Sequence, residues 1–338
     1  MGYCLSESGM DAVFRELSAG YILYAPKVFP GGNTYSGTDC IRYGEITHVR
    51  DIETGQKSDF SFKEVLLPLS QTLFYFTEDD IKEPELPQRD ALIFLRSCDL
   101  HALKRLDEIY LYNEFSDIYY QRLREKCRFV LIGCRKAYDS CFCVDMGTNI
   151  SEGWDAAFES KDGRYYMDSN LPALTQLLEK HAEEKVDYIP SYVTETQTKV
   201  SIPDDLSIDI AKASMWREYD DRCINCGRCT LACPTCTCFT MQDIFYQDNG
   251  KAGERRRVQA SCMVDGFTDT AGGGSYRRKN GDRVRFRALH KVYDFKKRFG
   301  YHMCVGCGRC EDICPEYITL THIISKLSAA LEEVRTDG

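Results

Sequence analysis

The chain carries one cysteine pattern twice, as C-I-N-C-G-R-C-T-L-A-C-P at residues 223–234 and as C-V-G-C-G-R-C-E-D-I-C-P at residues 304–315. Each copy has the spacing C-x2-C-x2-C-x3-C-P, in which three thiolates hold one 4Fe-4S cluster and the fourth reaches the other cluster. A zinc ribbon, the alternative, needs only two C-x2-C pairs and has no use for the proline. The repeat therefore predicts a helical, bacterial-ferredoxin-like domain that binds two 4Fe-4S clusters.

The cross-over of the fourth cysteines predicts which thiolates hold each cluster. Cluster 1 is predicted to bind Cys223, Cys226, Cys229 and Cys314, and cluster 2 to bind Cys304, Cys307, Cys310 and Cys233. We expect Gly227 and Gly308 to let the backbone bend close to the clusters. Pro234 and Pro315 suit the first turn of a helix, so each fourth cysteine is expected at a helix N-terminus. Two clusters with shared ligand loops must lie close together, which predicts an electron relay.

Three further cysteines follow the first copy of the repeat: Cys236, Cys238 and Cys262. One interpretation is that Cys236 or Cys238 replaces Cys233 as a cluster ligand. The other is that all three are buried packing thiols. The 70 residues between Cys233 and Cys304 exceed the spacer of a compact ferredoxin, so this insertion is where we expect partner contacts.

Four cysteines in the N-terminal half predict a third site: Cys98, Cys134, Cys141 and Cys143. Predicted strands at residues 91–95 and 128–133 precede Cys98 and Cys134, with an amphipathic helix at residues 100–110 between them. If these strands are parallel neighbours, both thiols emerge at one edge of the sheet, where the C-x-C pair could close a third 4Fe-4S site. Zinc and simple buried thiols are the alternatives. A helix-terminal position is expected to lower the pKa of Cys98, and His101 could donate toward a cluster.

Length and composition describe a globular protein of two domains. The chain has 338 residues, of which 43% are hydrophobic and 28% charged, and 18 are cysteines. No secretory signal or membrane-length apolar stretch is evident, so we expect a cytoplasmic protein with reduced thiols and no direct membrane insertion. The remaining cysteines, Cys4, Cys40 and Cys127, are interpreted as structural.

A polar stretch around residues 190–203 is the best candidate linker. It divides the chain into an α/β domain at 1–203, with the third site, and a ferredoxin-like dicluster domain at 204–338. The insertion at 239–303 lies within the second domain. A stripe of apolar residues from Leu320 to Val334 predicts a C-terminal packing helix.

The insertion is strongly basic within an acidic protein. Residues 255–298 hold thirteen Lys or Arg and four Asp, although the net charge of the chain is -9. A solvated face is one interpretation, and charge complementarity to a partner protein or to the chain's own anionic clusters is another. Nucleic-acid binding is not expected, because the protein is acidic overall and no nucleic-acid-binding motif accompanies the segment.

Catalytic signatures are sparse. The sequence lacks G-x-G-x-x-G, G-x-x-x-x-G-K-[ST], H-E-x-x-H and G-x-S-x-G. We therefore predict neither flavin nor nicotinamide on this chain, no catalytic residues, and a role as the electron-transfer subunit of a larger oxidoreductase.

With these residues in place, the chain resembles the A subunits of anaerobic sulfite reductases. The resemblance covers nearly the whole chain, and the combination of its motifs is narrower than the ferredoxin spacing alone. The motifs are T-L-F-Y-F at 72–76, R-S-C-D at 96–99, C-F-C-V-D-M-G-T-N at 141–149, R-C-I-N-C-G-R-C-T-L-A-C-P-T-C-T-C at 222–238, G-E-R-R-R at 253–257, A-S-C-M-V at 260–264, R-A-L-H-K-V at 287–292 and H-M-C-V-G-C-G-R-C at 302–310.

This resemblance implies a three-subunit cytoplasmic complex. A flavin-containing subunit would oxidise NADH, this subunit would pass the electrons through 4Fe-4S clusters, and a siroheme-containing subunit would reduce sulfite to sulfide. A weaker resemblance reaches the iron-sulfur β subunits of soluble nickel-iron sulfhydrogenases, which perform a similar relay. A cluster-based redox sensor and a zinc-bearing scaffold are further alternatives.

Overall fold

The computed structural model describes residues 2–33, 36–247 and 250–336. An eight-stranded sheet forms the N-terminal part, in the order β10-β1-β9-β8-β7-β6-β2-β3. A four-stranded sheet has the order β11-β12-β4-β5, and β13 pairs with β14. The strands are β1 Gly2–Leu5, β2 Tyr21–Phe29, β3 Cys40–Glu45, β4 Ser70–Phe76, β5 Ile81–Lys82, β6 Asp90–Leu95, β7 Cys127–Ile132, β8 Ala156–Lys161, β9 Arg164–Ser169, β10 Glu184–Val186, β11 Phe239–Phe245, β12 Gly253–Gln259, β13 Asp269–Thr270 and β14 Gly274–Ser275.

Helices cover both faces of the large sheet and build most of the C-terminal part. They are α1 Glu7–Leu17, α2 Lys63–Leu66, α3 Ser97–Tyr110, α4 Ile118–Glu125, α5 Pro172–His181, α6 Tyr219–Arg222, α7 Arg228–Ala232, α8 Asn280–Leu289, α9 Phe295–Phe299, α10 Arg309–Asp312, α11 Leu320–Ser325 and α12 Leu327–Thr336. A π-helical turn at His290–Asp294 joins α8 to α9, and short 3-10 helices lie at Val49–Asp51, Ile208–Lys212 and Ser214–Glu218.

The centre of the large sheet is parallel, as the strand and helix patterns predict. Strand β6 pairs in parallel with both β2 and β7, and β7 pairs in parallel with β8. The two central strands are buried apolar runs with helices on either side, which is the pattern of parallel sheets. Helix α3 makes the crossover between β6 and β7 and buries Leu100, Leu103 and Leu106 against the sheet. This part of the chain is therefore a mixed α/β sheet domain.

The small sheet joins the two halves of the sequence. Strand β4, from the N-terminal half, pairs antiparallel with β12, which lies in the basic insertion. The hairpin β11–β12 also shows that the C-terminal half is not purely helical, because these residues pair as antiparallel strands. The domain boundary near residue 203 stays a prediction. Contacts such as the pairing of β4 with β12 join the chain on its two sides.

The C-terminal apolar stripe forms two helices where one was predicted. Helix α11 ends at Ser325 and α12 begins at Leu327. Leu320, Ile323 and Leu327 are all buried in the C-terminal core, so the packing role of the stripe is confirmed. The division at Lys326 lets each short helix keep its apolar side on that core.

The predicted helices at Pro234 and Pro315 are wrong. Turns follow both prolines, and the helices begin earlier, at Arg228 in α7 and Arg309 in α10. Cys233 directly follows α7, and Cys314 lies two residues after α10. Each fourth cysteine thus lies between a short helix and a turn.

The helices were compared with what a membrane-spanning helix requires. Across residues 2–33, 36–247 and 250–336, none of them combines the length and the apolar character that a bilayer span requires.

Candidate iron-sulfur sites

The four thiols predicted for cluster 1 surround one cavity. Its lining includes Cys223, Cys226, Cys229 and Cys314, together with Gly227, Met263, Val284, Arg287 and Ile318. Cys226 is exposed and the other three thiols are partly buried. The ligand assignment itself stays a prediction, but the structure brings together the set that the cross-over rule names.

The thiols predicted for cluster 2 lie deeper. Burial, together with negative charge on neighbouring Cys307 and Cys233, raises the pKa of Cys304 to about 12. Burial likewise raises the pKa of Cys310, with Cys233, Cys307 and Cys304 as like-charged neighbours. Four neighbouring thiolates at this site, of which Cys307 is buried and the other three are partly exposed, would repel one another and need a compensating positive charge. Iron ions would supply that charge when a cluster is bound.

Backbone N–H groups point at cluster thiols, as the bent loops predict. The amide of Gly306 donates to Cys304 Sγ over 3.4 Å, and the amide of Ile318 donates to Cys314 Sγ over 3.3 Å. Gly227 and Gly308 both have positive φ, at 75° and 70°. At Gly308 a Cβ would meet the carbonyl oxygen of Ser140 at 2.3 Å, so a larger residue cannot fit there.

Buried cations show that the cysteine sites suit anionic clusters. Lys63, Arg287 and Lys291 are 2%, 6% and 2% exposed. Within the described ranges none of the three forms an ion pair with a carboxylate. Lys63 donates to the carbonyl oxygens of Thr230 and Cys236, and Lys291 donates to the Thr235 hydroxyl.

Cysteines supply the charge that stabilises two of these cations, Arg287 and Lys291, whereas burial lowers the pKa of Lys63 despite the nearby Cys236 and Cys233. Burial lowers the pKa of Lys291, but negative charge at Cys233 and Cys236 outweighs burial and leaves the pKa above its ordinary value. The pKa of Arg287 is also raised, because the thiolates of Cys229 and Cys310 more than offset burial. Buried cations are costly without an anion, and a 4Fe-4S cluster with four thiolates is such an anion. The residues present therefore fit the predicted clusters.

The four cysteines of the predicted third site line a single cavity. Cys98, Cys134, Cys141 and Cys143 share it with Lys57, Arg96, Arg309 and Cys307. Cys98 lies in the first turn of α3 and Cys134 two residues past β7, so both thiols emerge at the carboxyl edge of the parallel strands. Arg96 donates to Cys134 Sγ over 3.7 Å.

Two details of the third-site prediction are wrong. Burial raises the pKa of Cys98 well above its ordinary value, and the adjacent Asp99 raises it further, so these effects override the helix terminus. The ring of His101 contacts the carbonyl oxygen of Ile150 at 2.7 Å, and His101 does not line the cysteine cavity.

The third site and cluster 2 share a wall. Cys307, a predicted cluster 2 ligand, also lines the third cavity. The amide of Phe142 donates to the carbonyl oxygen of Gly306 over 2.8 Å, and the Thr148 hydroxyl donates to that of Val305 over 2.7 Å. A Cβ on Gly306 would meet the Phe142 backbone at 2.6 Å. The C-x-C loop and the second cysteine repeat are therefore packed backbone to backbone.

A buried ion pair stabilises this contact between the N-terminal and C-terminal halves of the chain. Both Nη atoms of Arg309 donate to the carboxylate of Asp99, at 2.7 and 2.9 Å. The two side chains are 2% and 0% exposed. Arg309 also donates to the Ser58 carbonyl oxygen at 3.1 Å. Sequence analysis missed this pair, as well as Lys57 and Lys63, because no local pattern marks a residue whose partner is distant in the chain.

The basic segment divides between the surface and the clusters. Arg255 pairs with Asp243 at 2.6 Å on the exposed hairpin, and Arg257 pairs with Asp117. Arg287 and Lys291 instead face the cysteines from the buried side of α8 and the π-helical turn. Charge complementarity to the chain's own cysteine sites thus accounts for Arg287 and Lys291 within the basic segment.

The other thiols have distinct surroundings. Cys4, Cys40 and Cys127 are buried in strands of the large sheet. Cys236 is hydrogen-bonded to Cys233, and Cys238 to Cys262, in each case through the side chains.

A larger cavity of about 610 Å³ opens beside the third site. Lys57, Arg96 and Tyr138 line both cavities. The two cavities therefore adjoin each other.

Known proteins share parts of this arrangement. A family model described as a 4Fe-4S dicluster domain matches residues 222–318, which supports the two predicted 4Fe-4S clusters. Sulfhydrogenase 2 subunit beta of Pyrococcus furiosus is 25% identical over 313 residues, covering 86% of this chain and 92% of that protein. F420-dependent formate dehydrogenase subunit beta of Methanocaldococcus jannaschii is 20% identical over 120 residues, covering 35% of this chain and 23% of that protein. No solved structure matches significantly.

Proposed function

We propose that this chain is the iron-sulfur electron-transfer subunit of an NADH-dependent anaerobic sulfite reductase. The observation that carries the relay is that the three thiol sites adjoin one another. Cys307, a predicted cluster 2 ligand, also lines the cavity of the third site. Cys233, from the first copy of the repeat, lies near the other predicted cluster 2 ligands. The dicluster match and the two β-subunit relatives support the coarser function, an electron-transfer subunit of an oxidoreductase complex. The motif resemblance supports sulfite as the final acceptor.

We propose an order for the relay from the positions of the three sites. The third site adjoins the large cavity at one end, cluster 2 lies in the middle, and cluster 1 reaches the surface through exposed Cys226. Bound 4Fe-4S clusters supply one-electron redox chemistry. The protein contributes the buried cations, which favour the added negative charge of a reduced site, and the tight packing that excludes water. We assign the flavin and siroheme subunits as partners at the two ends.

The third site is proposed to hold a 4Fe-4S cluster bound by Cys98, Cys134, Cys141 and Cys143. Iron analysis of the anaerobically purified chain should give about twelve irons with matching sulfide. Cys98→Ala should lower this to about eight, because one cluster is lost while the dicluster pair keeps all its ligands.

Cys40→Ser is the matched control, since Cys40 is buried in β3 away from the three sites. It should keep the full iron content. About eight irons in the unsubstituted chain, or zinc without sulfide, would contradict the third cluster.

A relay in a sulfhydrogenase is the second candidate, and one observation favours it. The identity to sulfhydrogenase 2 subunit beta extends over nearly the full length of both chains, beyond the dicluster domain. The relay chemistry would be the same, and the terminal partner would be a nickel-iron subunit in place of a siroheme subunit.

Isolation of the complex separates the two candidates. The tagged chain would be purified anaerobically from its native cells, and the co-purified subunits identified with their cofactors. We expect siroheme, flavin and sulfite reduction driven by NADH. Nickel and hydrogen-linked activity without siroheme would establish the second candidate and contradict the first.

A further inference from the structure

A separate thiol cavity of about 290 Å³ lies beside the predicted cluster sites. Its lining combines three cysteines with four basic side chains: Cys236, Cys238, Cys262, Arg277, Arg287, His290 and Lys291. Thr237, Phe267, Thr268, Phe286 and Met303 complete it, so no Asp or Glu of the described residues lines the cavity. A positively charged, thiol-bearing cavity of this kind favours an anionic occupant.

The hairpin β11–β12 holds Cys238 and Cys262 together. Cys238 directly precedes β11, Cys262 follows β12, and Phe239 is paired with Gln259 at this end of the ladder. The amide of Ala260 donates to the carbonyl oxygen of Cys238 over 2.9 Å. The two thiols hydrogen-bond to each other through their side chains. Cys262 is buried, whereas Cys238 is partly exposed.

The cavity places Cys238 among basic side chains. Arg277, Arg287 and Lys291 line it together with this thiol. The Nε atom of Arg287 is buried without a hydrogen-bond partner among the described residues. A bound anion would satisfy that group.

We propose that Cys238 and Cys262 form a redox-active dithiol that reduces small anionic disulfides with electrons from the chain's iron-sulfur clusters. The proposal goes beyond the relay and depends on the dicluster domain, but on neither of the two candidate partners. Its position suits the task, because Cys236 connects the cavity to the cluster ligand Cys233 and Arg287 lines both this cavity and that of cluster 1.

The reaction consists of two thiol–disulfide exchanges and one reduction. The Cys238 thiolate attacks one sulfur of the substrate R–S–S–R, so that a Cys238–S–S–R bond forms and RS⁻ leaves. The Cys262 thiol then gives its proton to the released RS⁻ and attacks Cys238 Sγ, which closes the Cys238–Cys262 disulfide and releases the second RS⁻. Two electrons from reduced clusters and two protons from solvent restore the dithiol. The net change is the reduction of R–S–S–R to two RSH.

Trapping of the first intermediate tests the proposal. The holoprotein with Cys262→Ser would be treated anaerobically with 3,3′-dithiodipropionate, an anionic disulfide, and mapped by mass spectrometry. We expect a stable mixed disulfide on Cys238, formed at least about tenfold faster than with cystamine, a cationic disulfide of similar size. The unsubstituted protein should instead contain a Cys238–Cys262 disulfide and no retained adduct.

Controls make the result decisive. Iron and sulfide content should not change, and Cys238→Ser should abolish both products. In the reduced, desalted protein, each dithiodipropionate should oxidise about two clusters, measured by visible absorbance. Equal rates for the two disulfides, an adduct only on other cysteines, or an adduct that appears only after cluster loss would overturn the proposal. The peptide map of the unsubstituted protein decides the matter even if Cys262→Ser fails to fold. None of these results bears on which partner complex the chain joins.

Discussion

Replacing Cys226 by Ala is expected to reduce NADH-driven sulfite reduction by the complex at least about a hundredfold. Cys226 is the exposed thiol of the cluster 1 cavity and one of its four predicted ligands. With three ligands left, the site at the outer end of the relay is lost, and electrons have no adequate alternative path. The measurement is the rate of NADH oxidation coupled to sulfide formation in the purified complex.

The comparison for this variant is sulfite reduction driven by reduced methyl viologen, which should remain within about twofold of the unsubstituted rate because electrons enter at the siroheme subunit directly. Cys127→Ser is the matched variant. The thiol of Cys127, in β7, donates to the carbonyl oxygen of Leu123 in α4. A serine hydroxyl can make the same hydrogen bond, and Cys127 is not a predicted cluster ligand. Full NADH-driven activity in Cys226→Ala would exclude cluster 1 from the relay.

Arg309→Met is expected to destabilise the folded chain by about 3–5 kcal/mol. The change leaves the carboxylate of Asp99 buried without its charge partner, at the contact between α3 and α10. Burial of an uncompensated carboxylate is the dominant cost. The change also loosens the wall between the third site and cluster 2, so we expect partial loss of iron. The measurements are the denaturation midpoint of the anaerobic holoprotein and its iron content.

Two further variants distinguish the loss of the buried ion pair from the effect of removing any arginine. Arg298→Met removes an exposed arginine whose partner Glu114 lies 3.7 Å away, and it should cost less than about 1 kcal/mol. Arg309→Met combined with Asp99→Leu removes both charges and should recover much of the lost stability. A double variant as unstable as the single one would show that Arg309 acts through something other than Asp99.

The central strands and the cysteine loops follow from local sequence. Strands β6 and β7 are short buried apolar runs, and α3 between them has the helical period, a pattern that favours the parallel pairing found in the structure. This pairing also explains why Cys98 and Cys134 could be placed at one sheet edge. The predicted helices after Pro234 and Pro315 failed because a proline tolerates a turn as well as a helix start. Whether a turn or a helix follows the proline depends on the tertiary structure around it.

The sequence by itself determined the two ferredoxin-like motifs, because cluster binding requires close thiols at a spacing that a short loop can supply. Only the tertiary structure decided how the third site adjoins cluster 2, which cations face the thiols, and that Arg309 pairs with Asp99. These contacts join residues up to 251 positions apart, as between Arg309 and Ser58. Local periodicity and spacing carry no information about such pairs, since burial and charge compensation arise only when the two halves of the chain pack together.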